Sequence, residues 1–94
     1  MSEPVVYQIL FYDYVENVVE LRAPHRAGHL ELVGQWKADG KVTSGGALGQ
    51  PPTGAMIVFA VDEAAEVEAF VAEDPYVRNG IVTRHRVVPW TVVV

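Results

Sequence analysis

The chain has 94 residues, half of them apolar and a fifth charged, no cysteine and a formal net charge of -5. That length supplies one domain, residues 1–94, with a single sheet-plus-helix core small enough that a partner subunit would help bury surface, and the missing thiols exclude a disulfide framework, a thiolate nucleophile and a zinc ribbon. Seven scattered basic residues against twelve acidic ones repel a phosphate backbone, so nucleic acid is not an expected partner; with no signal-like opening and no apolar run near the ~20 residues of a membrane helix, the expectation is a cytoplasmic protein off the membrane.

The run "VVYQILFYDY" (5–14) is rich in β-branched and aromatic residues and apolar on both alternating positions, which predicts a strand. One face carries Val5, Tyr7, Ile9 and Phe11, the other Val6, Leu10 and Tyr12. Both faces therefore need covering, which points to a homodimer or a higher homo-oligomer. After a polar, irregular passage, "PHRAGHLELVGQWKADG" (24–40) places Leu30, Val33 and Trp36 at helical spacing, with Pro24 at the start and Gly40 at the stop. Gly28 and Gly34 each cost about 1 kcal/mol inside a helix, and are read as marking the close approach of another backbone.

"KVTSGGAL" (41–48) reads as a second strand, "LGQPPTG" as a turn and "AMIVFAVD" (55–62) as a third strand, together a hairpin. Asp62 is placed to cap a second helix, 63–74, whose buried stripe is Ala64, Val67, Phe70 and Val71. Pro75 ends it by pushing Asp74 out of the helical region. "GIVTRHRVVPWTVVV" (80–94) supplies the last strand, its second half demoted by Pro89 to an edge or a bulge. The order β-α-β-β-α-β is ferredoxin-like: an α+β fold with an antiparallel four-stranded sheet, two helices on one face and the other face free to dimerise.

Suppose the crossovers are right-handed, with the third strand antiparallel between the first and second and the fourth outside the first. The start of the first helix, the end of the second strand, the end of the second helix and the start of the fourth strand then share one edge of the sheet. A helix rises 1.5 Å per residue, so His25 and His29 differ by only about 6 Å along the axis. Both fall at that edge, with Arg26, Asp74, Tyr76 and the glycines of "TSGGAL".

Each of these residues has a functional and an ordinary reading. His25 and His29 at i, i+4 form half of a zinc site, but "HRAGH" is not "HExxH" and no third ligand clusters with them, so no metal and no other cofactor is expected. His29, on the face of Val33 and Trp36, is either a satisfied core histidine or, with a carboxylate partner, an acid/base group; Asp74 is the carboxylate that the topology brings nearest, and otherwise simply closes a helix. Tyr76 is a proton donor or a core aromatic. Arg26 either clamps a carboxylate or phenolate or makes a surface ion pair worth under about 1 kcal/mol. Ser44 with Gly45 and Gly46 offers backbone N–H groups to an oxyanion but lacks the lysine of a phosphate loop. His85 is expected to face solvent. No serine-histidine-acid, dinucleotide or paired-carboxylate pattern supports hydrolase or hydride chemistry.

Taken together, "RAGHL" (26–30), "DGKVTSGGAL" (39–48), "DPYVRNGIV" (74–82) and "VVPW" (87–90) resemble the YCII-related (YciI-like) family over nearly the whole chain. The resemblance implies a ferredoxin-like chain that pairs sheet to sheet, and an acid/base pair formed by the histidine of "RxxHL" and the aspartate of "DP", here His29 and Asp74. His25 matches nothing in that pattern. The chain departs from it at "GGAL", where many relatives read "AGP" or similar, and in a short loop before the third strand. The family and the wider dimeric α+β barrel group include lyases, isomerases and dehalogenating enzymes acting on small, often ring-shaped, acids. The expectation is thus a cofactor-free enzyme in which His29, oriented by Asp74, moves a proton on a small organic substrate held by Arg26, Ser44, Gly45 and Tyr76. The rivals are a ligand-binding sensor or accessory dimer and a purely structural domain.

Overall fold

The computed structural model describes residues 5–94. Strand β1 (Val5–Tyr14) leads through helix α1 (Val18–Leu21) and a 3-10 turn (Ala23–His25) into α2 (Arg26–Ala38). Strands β2 (Val42–Leu48) and β3 (Gly54–Phe59), helices α3 (Ala64–Glu73) and α4 (Pro75–Arg78), and strand β4 (Val82–Val92) complete the fold. The sheet order is β2-β3-β1-β4 with every neighbouring pair antiparallel. This is the ferredoxin-like arrangement that the order of elements predicts.

The alternation in β1 divides the sheet. Leu10 and Tyr12 join Val42, Ala55, Ile57, Phe59, Val67 and Phe70 in the core under the helices. Tyr7, Ile9 and Phe11 point to the other face, opposite Trp90, Val88 and Arg86 of β4. Trp36, Phe59 and Phe70 meet edge to face with centroids 5.2–5.8 Å apart, a geometry worth about 0.5–1.5 kcal/mol per pair beyond burial.

Several boundaries move. The passage read as irregular contains α1, and the helix expected from residue 24 starts with a 3-10 turn, so α2 begins at Arg26. Its inward row is His29, Leu32, Val33 and Trp36, at i, i+3, i+4 and i+7; Leu30 stands off this row and is half exposed. Glu63, not Asp62, caps α3, through a reciprocal capping box with Glu66, and Ala64 is exposed while Val67, Phe70 and Val71 are buried. The third strand stops at Phe59. Pro89 sits within a continuous β4, tolerated because β4 is an edge strand. Gly54 permits β3 to pass β1, since a side chain there would collide with the Tyr12 carbonyl oxygen. No helix among the described residues is long and apolar enough to cross a membrane.

Candidate active site

Two local features aim His29 at Asp74. The inward row of α2 makes His29 the buried residue of that helix. Gly28 precedes it, and a Cβ there would lie only 3.3 Å from Pro75 Cγ, so the missing side chain lets α2 settle against the start of α4. Asp74 is fixed from its own side. The following proline holds it in extended backbone (φ -69°, ψ 120°), where it ends α3 and caps α4.

The Asp74 carboxylate is fully buried and accepts from three donors. Tyr76 N–H reaches Oδ1 at 3.0 Å, Tyr12 O–H reaches Oδ2 at 2.7 Å, and His29 Nδ1 lies 2.8 Å from Oδ1 and 3.0 Å from Oδ2. These bonds offset the cost of desolvating the charge. An acceptor so engaged assigns the donor role to His29 Nδ1–H, leaving the lone pair of the neutral ring on Nε2. The Tyr76 ring stacks on the imidazole with centroids 3.9 Å apart and planes 4° apart. Nε2 has no hydrogen-bond partner among the described residues, and no buried side-chain nitrogen or oxygen there is unpartnered. It therefore opens onto the adjoining pocket.

That pocket has a volume of about 290 Å³. Gly45, Gly46 and Ala47 of β2 with Ala55 and Ile57 of β3 form its floor, and His29, Leu30, Val33 and Tyr76 its wall. Tyr14, Arg22 and Arg26 complete the lining. The phenols are held protonated: burial pushes Tyr14 up to about 12, with the neighbouring Tyr76 adding to it and Arg22 opposing. Burial also raises Tyr76, against Arg22 and Arg26. Tyr12 is raised well beyond the ordinary phenol range by burial and then by the Asp74 charge. An imidazole with one ring nitrogen free, facing a small, half-apolar pocket with phenol donors and two guanidinium groups, is an arrangement able to exchange protons with a small ligand.

Of the residues singled out from the sequence, His29, Asp74, Arg26, Gly45 and Tyr76 come together. Ser44 does not join them. A register shift between Val42 and Ser44 leaves Ser44 opposite Val58, in a separate recess with Met56 on the other sheet face. His25 lies in the 3-10 turn outside the pocket lining. His85 lies on the helix side of β4, where its Nε2 is 2.9 Å from Glu68 Oε2 in a pair that remains open to solvent. Among the described residues no three His, Asp or Glu side chains cluster as metal ligands. Tyr12, Tyr14 and Arg22 were not anticipated at the site. The two tyrosines continue the helix-facing alternation of Leu10 toward the site's edge of the sheet, a signal that the sequence does carry.

The YCII-related domain matches this chain over residues 6–91. Among solved structures the chain is similar to 5-chloro-2-hydroxyhydroquinone dehydrochlorinase from Burkholderia phenoliruptrix AC1100, in complex with 2,5-dihydroxybenzoquinone. The TM-score is 0.76 at 22% identity, over 90% of this chain and 93% of that one, a likeness that establishes the shared fold. No curated protein matches the chain.

Proposed function

The chain belongs to the YCII-related domain family, and from that premise we propose that it is a small enzyme in which His29, oriented by Asp74, moves a proton on a ring-shaped organic substrate. Elimination of a leaving group such as halide is the leading reaction and isomerisation the second. The observation that carries this reading is the buried His29–Asp74 pair, which commits Nδ1 to the carboxylate and leaves Nε2 facing a pocket. The likeness to a dehydrochlorinase supports elimination in particular.

In such a step Nε2 takes a proton from a substrate O–H or C–H. On a halogenated phenol the step acts on the keto tautomer, in which a proton from an O–H has moved to the halogen-bearing carbon and made it tetrahedral; the electron pair left by Nε2 then forms a new π bond and expels the leaving group with its own bonding pair. The imidazolium is stabilised by Asp74 and returns the proton to water. Oxidation state is unchanged overall, so the step draws only on this chain's acid/base groups. We place the enzyme in a homodimer formed through the open sheet face, a reading supported by the exposure there of Val5 and Trp90.

The test is halide release from a panel of hydroxylated chloroaromatics, 5-chloro-2-hydroxyhydroquinone included, by the wild type and by His29→Ala and His29→Gln. Both variants are expected to lose roughly 10²–10⁴-fold in turnover. Ligand binding without product, retained in His29→Gln, would overturn the catalytic reading in favour of a ligand-binding dimer.

A further inference from the structure

We propose that Arg22 and Tyr14, with Arg26 and Tyr76, form an anion subsite beside His29 that grips an ionised oxygen of the ligand, and so selects carboxylates, phenolates and enolates over neutral rings. Arg22 and Tyr14 are the new members. Arg22 lies in the connection between α1 and the 3-10 turn, and Tyr14 at the end of β1; both line the same pocket as His29.

The arginines are unspent. Among the described residues, the ion pairs are His29–Asp74 and His85–Glu68, and neither the Arg22 nor the Arg26 guanidinium donates a hydrogen bond. Arg78, by contrast, bonds the Ala72 carbonyl and Arg86 lies over the Phe11 ring at 4.2 Å. No Asp or Glu lines the pocket, although the chain as a whole is acidic. Two unneutralised guanidinium groups in a half-apolar recess make a local positive field set against the overall charge.

The phenols are likewise unspent. Tyr14 and Tyr76 pack edge to face at 6.0 Å, and neither hydroxyl has a hydrogen-bond partner among the described residues. The charge of Arg22 acts on both phenols and that of Arg26 on Tyr76, so the four groups share one locality. Phenol O–H groups and guanidinium N–H groups are all donors to one acceptor, which is what an oxyanion supplies. A dry cavity of about 150 Å³ suffices for benzene, so this pocket has room for one ring and its anionic substituent.

The subsite deepens the proposed function, on which it rests for the placing of His29 at the reacting end, and its test reads binding rather than turnover. Titration of the full chain with benzoate and with benzamide, its uncharged counterpart of the same shape, is followed by calorimetry and amide NMR. Benzoate is expected to bind at least about tenfold more tightly than benzamide. Arg22→Gln and, separately, Arg26→Gln should each weaken benzoate by about tenfold and leave benzamide unmoved, while His29→Ala retains benzoate binding. Equal affinity for the two probes, absence of benzoate binding, or indifference of benzoate to both arginine changes would overturn the subsite. Loss of His29-dependent halide release alone would instead overturn the enzymatic reading and leave the subsite standing.

Discussion

The protein holds two histidine–carboxylate pairs of nearly equal length and different standing. His29 Nδ1 lies 2.8 Å from Asp74 and His85 Nε2 lies 2.9 Å from Glu68, yet side-chain exposure is 9% and 0% in the first pair against 32% and 53% in the second. Glu68 sits on the outer side of α3 and bonds His85 alone, so either partner can turn away at little cost. Asp74 is committed to three donors and to backbone positions on both sides of it. Bond length does not separate an oriented imidazole from an incidental ion pair; the number of independent constraints on the carboxylate does.

The comparison breaks most sharply at Asp74. Asp74→Ala strands a buried phenol, an imidazole N–H and an amide, and should cost about 3–5 kcal/mol in urea denaturation. Asp74→Asn has one acceptor oxygen for the same donors, and its NH₂ meets one of them head on. Nitrogen NMR of His29 should show the Nδ1–H tautomer giving way, together with a roughly 10²–10⁴-fold loss of turnover; a tautomer unaltered by Asp74→Asn would show that Asp74 does not orient the ring. Tyr12→Phe, which removes the 2.7 Å bond to the carboxylate, should cost about 1.5–3 kcal/mol.

The phenols give the site a pH signature on the alkaline side. Tyr14 is pushed up from its ordinary 10.0 to about 12, and Tyr12 and Tyr76 are raised as well. The folded chain therefore keeps protons that the unfolded chain releases. Their stabilising contribution is whole below about pH 10 and is lost as pH rises through the folded values, about 12 for Tyr14. Urea midpoints across that window should fall, and fall less in Tyr12→Phe.

Smaller effects sharpen the contrast. Gly34→Ala adds a side chain with nothing within 4 Å and should stabilise by about 0.5–1 kcal/mol. Gly28→Ala, facing Pro75 at 3.3 Å, should forgo that gain and lower turnover by moving α2 off Asp74. Glu68→Gln should change stability by under about 1 kcal/mol, an effect that disappears at high salt. A larger loss there would make the second pair a structural constraint too.

Much of this was legible in the sequence because it follows from element order. The ferredoxin-like strand order, adopted from the order of elements and found in the structure, brings residues 26–29 to 74–76 without any knowledge of side chains. The β1 alternation sorts Tyr7, Ile9 and Phe11 from Leu10 and Tyr12 just as the structure does. What escaped was local and non-periodic. Helix α1 is four residues long, too short to show a period, and Arg22 was hidden behind it. The irregularity between Val42 and Ser44 has no sequence signature, and it decides that Gly45 rather than Ser44 faces the pocket. The inward row of α2 runs through Leu32 instead of Leu30, a rotation that packing against Pro75 and the sheet selects.

The cap on α4 gives the molecule a gauge. The Tyr76 amide is bonded to the same carboxylate that aims His29, and the Tyr76 ring lies flat on that imidazole. Exchange of this single amide with solvent deuterium requires the Asp74 cap to open, and an open cap releases the imidazole. Its protection against exchange is thus a gauge of how fully the imidazole stays aimed, readable in the resting protein.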